Sequence, residues 1–170
     1  TGQVARAAPD GYTLVLSVIS AMVVGKVLYG ERVTWDPDTD FAHIAMVMST
    51  PYLILVRPGL PIRSLADFVQ AARATPGGIS LGNSGVGSMP HLVAARFAAT
   101  ADVPIQHVSY RGAAQATADV VGGVLPGLVD SLTAASANIR AGAVRPLAHT
   151  WPERVPEFPD IPTFRESGYP

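Results

Sequence analysis

A loop rich in glycine and serine, Gly82 to Ser88 (GNSGVGS), separates a short apolar run from a helix-like stretch that begins near Pro90. Its residues suit chemistry at a negatively charged oxygen. Glycines let a ligand approach the backbone, serine hydroxyls donate hydrogen bonds, and a helix amino terminus offers unpaired N–H groups with partial positive charge. The spacing leaves three interpretations open: a catalytic serine turn, a phosphate-binding loop or a seat for a carboxylate.

The first two interpretations each miss a required residue. A nucleophile elbow needs G-x-S-x-G, and Val86 stands where the last glycine belongs. A Walker loop needs G-K-[ST], but no lysine occurs here, and a dinucleotide loop would need glycine in place of Pro90. The carboxylate seat needs only amides and hydroxyls. It is favoured over the other two interpretations, and its residues are Ser84, Gly85, Gly87 and Ser88. A purely structural role, with Ser88 as a plain N-cap, is weighted equally with it.

Other candidate ligand-binding residues lie where predicted strands end and helices begin, the edge at which open α/β sheets bind ligands. Three of them have a structural alternative: packing or a surface position for the histidine, and helix capping for Ser20 and the aspartate. The further candidates are Ser17, Ser20, His91, Tyr110, Gly112 and Asp130.

Composition excludes several classes of function. The formal net charge is −1 with no basic cluster, which disfavours nucleic-acid binding. Cysteine is absent, so neither a disulfide nor a thiolate metal site is expected. No histidine or carboxylate cluster has the spacing of metal ligands, and neither metal nor cofactor is predicted. The longest apolar run, Leu14 to Val24, is shorter than the roughly 18 residues of a membrane span.

Strand-like and helix-like runs alternate along the chain, which predicts an α/β fold with a largely parallel sheet. Strands are expected over residues 12–18 and 43–49, and over Tyr52 to Val56, which is apolar on both faces. Ser20 begins a helix that runs to about residue 29. Ser64 and Asp67 form a capping box for a helix that Pro76 and Gly77 end.

Proline-rich stretches at residues 51–61 and 152–162 indicate domain crossings. The expected division is a partial first domain of strand, helix and strand over residues 1–50, a second, ligand-binding α/β domain over 51–147, and a truncated return crossing over 148–170. The chain begins without Met and ends on what reads as a helix start. We therefore expect a fragment of a longer protein.

Several stretches in this order resemble the Bug-type substrate-binding proteins of tripartite tricarboxylate transporters, over essentially all 170 residues. They are PDGYTLVLS, DFAHIAMV, the stretch from RPGLPIRSLADF through SLGNSGVGSMPHLVAARFA, HVSYRGAAQATADVVGG, and NIRAGAVRPLAHTWPERVPEFPDIPTFRESGYP. The resemblance implies a fold like that of type II periplasmic binding proteins, with one nearly complete α/β domain here and part of a second. It also implies a periplasmic receptor that closes on a small carboxylate solute and docks to membrane transporter subunits or a sensor.

Carried onto this sequence, the resemblance makes the Ser84 to Ser88 loop and His91 the carboxylate seat of the second domain. Ser17 and Ser20 would lie on the first domain's side, Tyr110 and Gly112 would line the cleft, and Asp130 matches a commonly acidic position. The expected function is a receptor, not an enzyme. Alternatives are a hydrolase-like enzyme that uses Ser84 and an inactive, truncated receptor remnant. A partial domain would expose apolar surface, so dimerisation or domain exchange is also expected.

Overall fold

The computed structural model describes residues 1–169, which divide into two compact units. The first unit holds residues 1–49 together with 87–89, and the second holds residues 50–86 and 90 onward. Among the described residues, no helix has the length and apolar character needed to cross a membrane.

The second unit is built on a five-stranded sheet in the order β3-β2-β4-β1-β5. Strand β2 runs parallel to β3 and β4, whereas β1 runs antiparallel to both β4 and β5. The α/β class is confirmed, but the expectation of a largely parallel sheet is wrong. An apolar run predicts burial on both faces, which β1 shows, but does not fix a strand's direction. The strands are β1 (Tyr52–Val56), β2 (Ile79–Asn83), β3 (Ile105–Ser109), β4 (Gly127–Ser131) and β5 (Arg145–His149).

Helices cover both faces of this sheet. Helices α3 (Leu65–Ala74) and α4 (Met89–Ala101) pack on one face through Phe68 and Phe97, against Ile54 of β1. Helices α5 (Ala113–Val121) and α6 (Leu132–Arg140) cover the other face, where Leu53 lies. Neighbouring residues of β1 therefore enter opposite cores, as the period of two in a strand requires.

The predicted capping box of α3 is confirmed. The backbone N–H of Asp67 donates to the hydroxyl of Ser64 at 3.1 Å, and the backbone N–H of Ser64 donates to the Asp67 carboxylate at 3.0 Å. These two bonds satisfy amides that the helix cannot pair internally. The apolar stripe of the same helix is buried as predicted: Leu65, Phe68, Val69 and Ala72.

The segment after β5 packs on the second unit. Val155 and Ile161 are buried in the core beneath α5 and α6. The backbone N–H of Phe164 donates to the carbonyl of His149 at 2.9 Å, which ties the segment to the end of β5. These residues belong to the second unit. That residues 148–170 form a return crossing into the first domain stays a prediction. Pro170 lies outside the described residues.

The first unit has local structure without a core. It contains α1 (Gly2–Ala5), a π-helical turn (Ser20–Val24), α2 (Gly25–Tyr29) and a 3₁₀ turn (Gly30–Arg32), so the helix expected from Ser20 to residue 29 forms in two parts. Within residues 1–49, all of which are described, no side chain is buried. An ion pair between Lys26 and Asp36 and an edge-on contact between Trp35 and Phe41, with ring centroids 5.5 Å apart, stabilise the unit locally.

The strands predicted over residues 12–18 and 43–49 do not form. A strand requires a neighbouring strand to take up its backbone hydrogen bonds, and the described residues supply none for these two segments. Their apolar side chains remain in solvent: Tyr12 is 92% exposed, Leu16 82% and Met46 85%. We call residues 12–18 and 43–49 the two apolar segments.

Candidate functional site

The candidate site is the edge of the second unit's sheet at which β2, β3 and β4 end. Parallel pairing aligns Asn83, the last residue of β2, with Ser109, the last residue of β3. Helices α4, α5 and α6 follow these three strands in turn, so their amino termini lie at the same edge. Helix amino termini carry partial positive charge, so the edge favours a negatively charged group.

Asn83 bonds to both neighbouring segments at this edge, and it was not among the candidate residues predicted from the sequence. Its side chain is fully buried, and its Oδ1 accepts hydrogen bonds from the Gly85 N–H and the Ser109 hydroxyl, each at 3.0 Å. Its backbone carbonyl also accepts from the Tyr110 N–H at 2.9 Å. An asparagine that bonds the backbone two residues on is a frequent turn former, and this signal was present in the sequence.

Ser84 and Gly85 differ in what they can offer a ligand. The Gly85 N–H donates to Asn83, so the expectation that this amide is free to receive a ligand is wrong. Gly85 has φ of +128°, a backbone conformation that side chains disfavour, and its contribution is therefore the shape of the turn. The half-buried Ser84 hydroxyl has no hydrogen-bond partner among residues 1–169 and remains a free donor.

Gly87, Ser88 and His91 are all engaged in interactions within the protein. Gly87 is buried, with φ of +78°, and Ser88 directly precedes α4. His91 lies in the first turn of α4, and its ring meets that of His107 on β3 edge-on, with centroids 4.9 Å apart. Burial and the neighbouring His91 lower the pKa of His107. His91 therefore packs against the edge strand of the sheet, the structural alternative considered for it.

Tyr110 and Gly112 lie between the end of β3 and the start of α5. The Tyr110 hydroxyl donates to the Asp119 carboxylate at 2.5 Å, and this bond raises the pKa of Tyr110 to about 12. Its hydroxyl is thus committed to α5, and the contribution of Tyr110 to the lining of a cleft stays a prediction. Gly112 is the extended residue that precedes α5, and a Cβ at this position would meet open space.

Asp130 lies near the end of β4 and is 5% exposed. Burial raises its pKa, although its Oδ1 accepts the Ser131 N–H at 2.7 Å. Its carboxylate also adds to the effect of burial in raising the pKa of Tyr52. The following residue, Ser131, caps α6 by accepting the Ala134 N–H at 3.3 Å, so the capping role considered for Asp130 belongs to its neighbour.

Ser17 and Ser20 belong to the first unit. Both are partly buried, and Ser20 is the first residue of the π-helical turn, where no side-chain cap bond forms. The structure therefore does not support helix capping as the role of Ser20. A contribution of these two serines to ligand binding stays a prediction.

His149 ends β5, where it pairs in register with Leu53 of β1. It is 1% exposed, and among residues 1–169 neither of its ring nitrogens has a hydrogen-bond partner. Burial lowers its pKa; the Arg154 cation acts in the same direction, and the Glu166 carboxylate opposes it. A neutral imidazole is therefore favoured here. In the part of the chain that the structure describes, no three side chains form a cluster that could hold a metal ion.

The sequence has clear relatives. Residues 1–170 match the family described as tripartite tricarboxylate transporter family receptor, TctC. A protein from the tcbD-tcbE intergenic region of a Pseudomonas species is 35% identical over 97% of this chain and 48% of its own length. BugT of Bordetella pertussis is 31% identical over 100% of this chain and 52% of its own length. The chain thus spans about half the length of these relatives.

Solved structures share the fold. A structure described as a periplasmic transporter superposes with a TM-score of 0.93 at 34% identity, over 99% of this chain and 56% of that chain. MatC of Rhodopseudomonas palustris, solved with bound malate, gives a TM-score of 0.88 at 28% identity, over 99% and 57%. A second R. palustris protein, solved with adipate, gives 0.86 at 32% identity, over 99% and 56%.

The buried His149 makes stability depend on pH. Because its pKa in the folded chain lies below the ordinary value of 6.5, the unfolded chain takes up a proton first as the pH falls. The free energy of unfolding should therefore decrease below about pH 6.5, by at most about 1.4 kcal/mol per pH unit for this one proton. Urea unfolding between pH 8 and pH 5 measures this slope.

His149→Phe removes the titrating ring and should reduce the slope, and His43→Gln, at an exposed histidine, is the matched control. The difference between wild type and variant cancels two other contributions to the slope. The lowered pKa of His107 acts in the same direction as that of His149, and the raised pKa of Asp130 contributes stability at acidic pH that is lost as the pH rises. An equal slope in wild type and His149→Phe would refute the assignment.

Proposed function

This chain belongs to the tripartite tricarboxylate transporter receptor family, and we propose that it captures a small carboxylate-bearing solute as part of an extracytoplasmic receptor. The receptor would act in the periplasm and deliver the solute to membrane transporter subunits. Closure of two domains on the solute, expected from the resemblance, is part of the same proposal. Neither cofactor nor metal takes part in it.

The observation that carries the proposal is the free Ser84 hydroxyl at the sheet edge where three helices begin. A carboxylate oxygen accepts hydrogen bonds from a hydroxyl, and helix amino termini favour its charge. The Gly85 amide is excluded as a donor because Asn83 occupies it. Ser84 is therefore the primary ligand group of the proposal, and the turn around it supplies shape.

The ligands of two structural neighbours support the chemical class of the solute. The neighbours solved with malate and with adipate each hold a small molecule with two carboxylates. Both superpose on this chain over 99% of its length. We propose a small dicarboxylate as the first ligand to test.

The hydrolase alternative needs a base beside Ser84, because a serine nucleophile requires a hydrogen-bonded partner that accepts its proton. Among residues 1–169 no histidine bonds to the Ser84 hydroxyl, and His91 instead contacts His107. This geometry favours the receptor over the enzyme. Turnover of a p-nitrophenyl ester that disappears in Ser84→Ala would reverse that preference.

The receptor proposal predicts that Ser84→Ala weakens binding of malate or adipate. Loss of one hydrogen bond to a charged group costs about 1.5–3 kcal/mol, so the dissociation constant should rise at least about tenfold. Isothermal titration calorimetry measures the change. Ser80→Ala is the matched control, because the Ser80 hydroxyl is bonded to Gln106 at 3.1 Å near the start of β2.

Equal affinity in wild type and Ser84→Ala would contradict the proposed role of this hydroxyl. Absence of binding to the wild-type chain, together with binding to a longer version of the receptor, would support the inactive-remnant alternative.

The two apolar segments lead us to propose that this chain self-associates through them. Residues 12–18 and 43–49 carry only two ionisable side chains, Tyr12 and His43, and their exposed apolar side chains can be buried against a second copy. Sedimentation over a range of concentrations should show a dimer in wild type. Leu16→Lys with Met46→Lys should raise the dimer dissociation constant at least tenfold, whereas Gln115→Lys on α5 should not. A wild-type chain that stays monomeric throughout would contradict the proposal.

A further inference from the structure

Asn83 carries a buried donor that the protein does not use. The side chain is 0% exposed, and its Nδ2 has no hydrogen-bond partner among the described residues. Leaving a buried polar group unpaired costs about 1–3 kcal/mol, and native proteins contain few such groups. The exceptions require an explanation, such as a functional role or a bound water or ion.

The orientation of this carboxamide is fixed by its partners. A backbone N–H can only donate, so the atom that faces the Gly85 N–H at 3.0 Å must be the carbonyl oxygen Oδ1. The Ser109 hydroxyl donates to the same oxygen at 3.0 Å. Nδ2 is therefore the atom left without a partner, and exchanging the two atoms would break the bond to Gly85.

We propose that Asn83 is a specificity-determining residue of the carboxylate site: Oδ1 holds the turn, and Nδ2 supplies buried positive polarity beside Ser84. The inference rests on the proposed function and deepens it. Shielded from water, a partial charge acts in surroundings of low dielectric constant and is therefore strong. Asn83 acts on the ligand through the field at the site and through the position of Ser84, so it is a positioning residue.

Asn83→Asp separates the two roles of the side chain. Aspartate retains an oxygen that can accept from Gly85 and Ser109, so the turn should persist. The donor, however, is replaced by a second oxygen, which is negatively charged when ionised and repels a carboxylate. At pH 8 the affinity for adipate should fall at least thirtyfold. At pH 5 part of this loss should be recovered, because a buried carboxyl readily takes up a proton and then again offers a donor.

Other groups around Asn83 also titrate or carry charge, and they are the same in wild type and variant. The pH effect is therefore read as the difference between the two proteins at each pH. On the elements that surround Asn83, the groups are His91 of α4, His107 of β3, Asp130 of β4, and Tyr110, Arg111 and Asp119 of the segment that leads into α5.

The experiment is calorimetric titration of wild type, Asn83→Asp and Asn138→Asp with adipate at pH 8 and pH 5. Asn138, on α6, is the other asparagine of the chain, so its variant adds the same charge away from the sheet edge. The inference predicts the pH-dependent loss for Asn83→Asp alone. Wild-type affinity in Asn83→Asp at both pH values, or an equal loss at both, would overturn it, whereas a wild-type chain that binds no adipate would instead refute the proposed function.

A second measurement covers the case in which Asn83→Asp does not fold. In ¹⁵N-labelled wild type, the side-chain NH₂ resonances of Asn83 should shift and saturate with added adipate, while those of Asn138 stay in place. If the Asn83 resonances do not move while the chain binds adipate, Nδ2 does not sense the ligand and the inference fails.

Discussion

The parallel pairing of β2 with β3 and β4 is the constraint on which the candidate site depends. It brings three strand ends to one edge and obliges the helices that follow to begin there. The Asn83 carboxamide then joins the end of β2 to the end of β3 through Ser109 and shapes the turn through Gly85. Without this pairing, the same serines and glycines would lie on separate loops and would not share the partial positive charge of the helix amino termini.

Polar groups at this edge fall into two kinds. Some are fully committed inside the protein, such as the Tyr110 hydroxyl on Asp119 and the Gly85 amide on Asn83. Others retain unused capacity, namely the Ser84 hydroxyl and the Asn83 Nδ2. Of these two, the buried Asn83 Nδ2 costs stability unless a ligand or water satisfies it. Their coincidence at one edge is the feature that supports the proposed ligand site over a simple helix cap.

Local signals in the sequence predicted much of the second unit. The capping box at Ser64 and Asp67 and the apolar run of β1 have direct physical counterparts in the structure, because each depends on neighbours in the chain. Strand direction in β1 and the state of residues 12–18 depend on partners distant in sequence, so periodicity alone could not settle them. At the candidate site, the sequence predicted the loop but not which of its polar groups lack a partner inside the protein. The Gly85 N–H is taken up by the Asn83 side chain within the turn, and that side chain also accepts from Ser109, 26 residues further on.

A crystal structure of this chain with adipate tests the central claim most directly. The account predicts a carboxylate at the edge formed by the ends of β2, β3 and β4, with one oxygen within hydrogen-bond distance of the Ser84 Oγ and the Gly85–Asn83 bond intact. Adipate bound elsewhere in the second unit, with the Ser84 hydroxyl still unpaired, would contradict it.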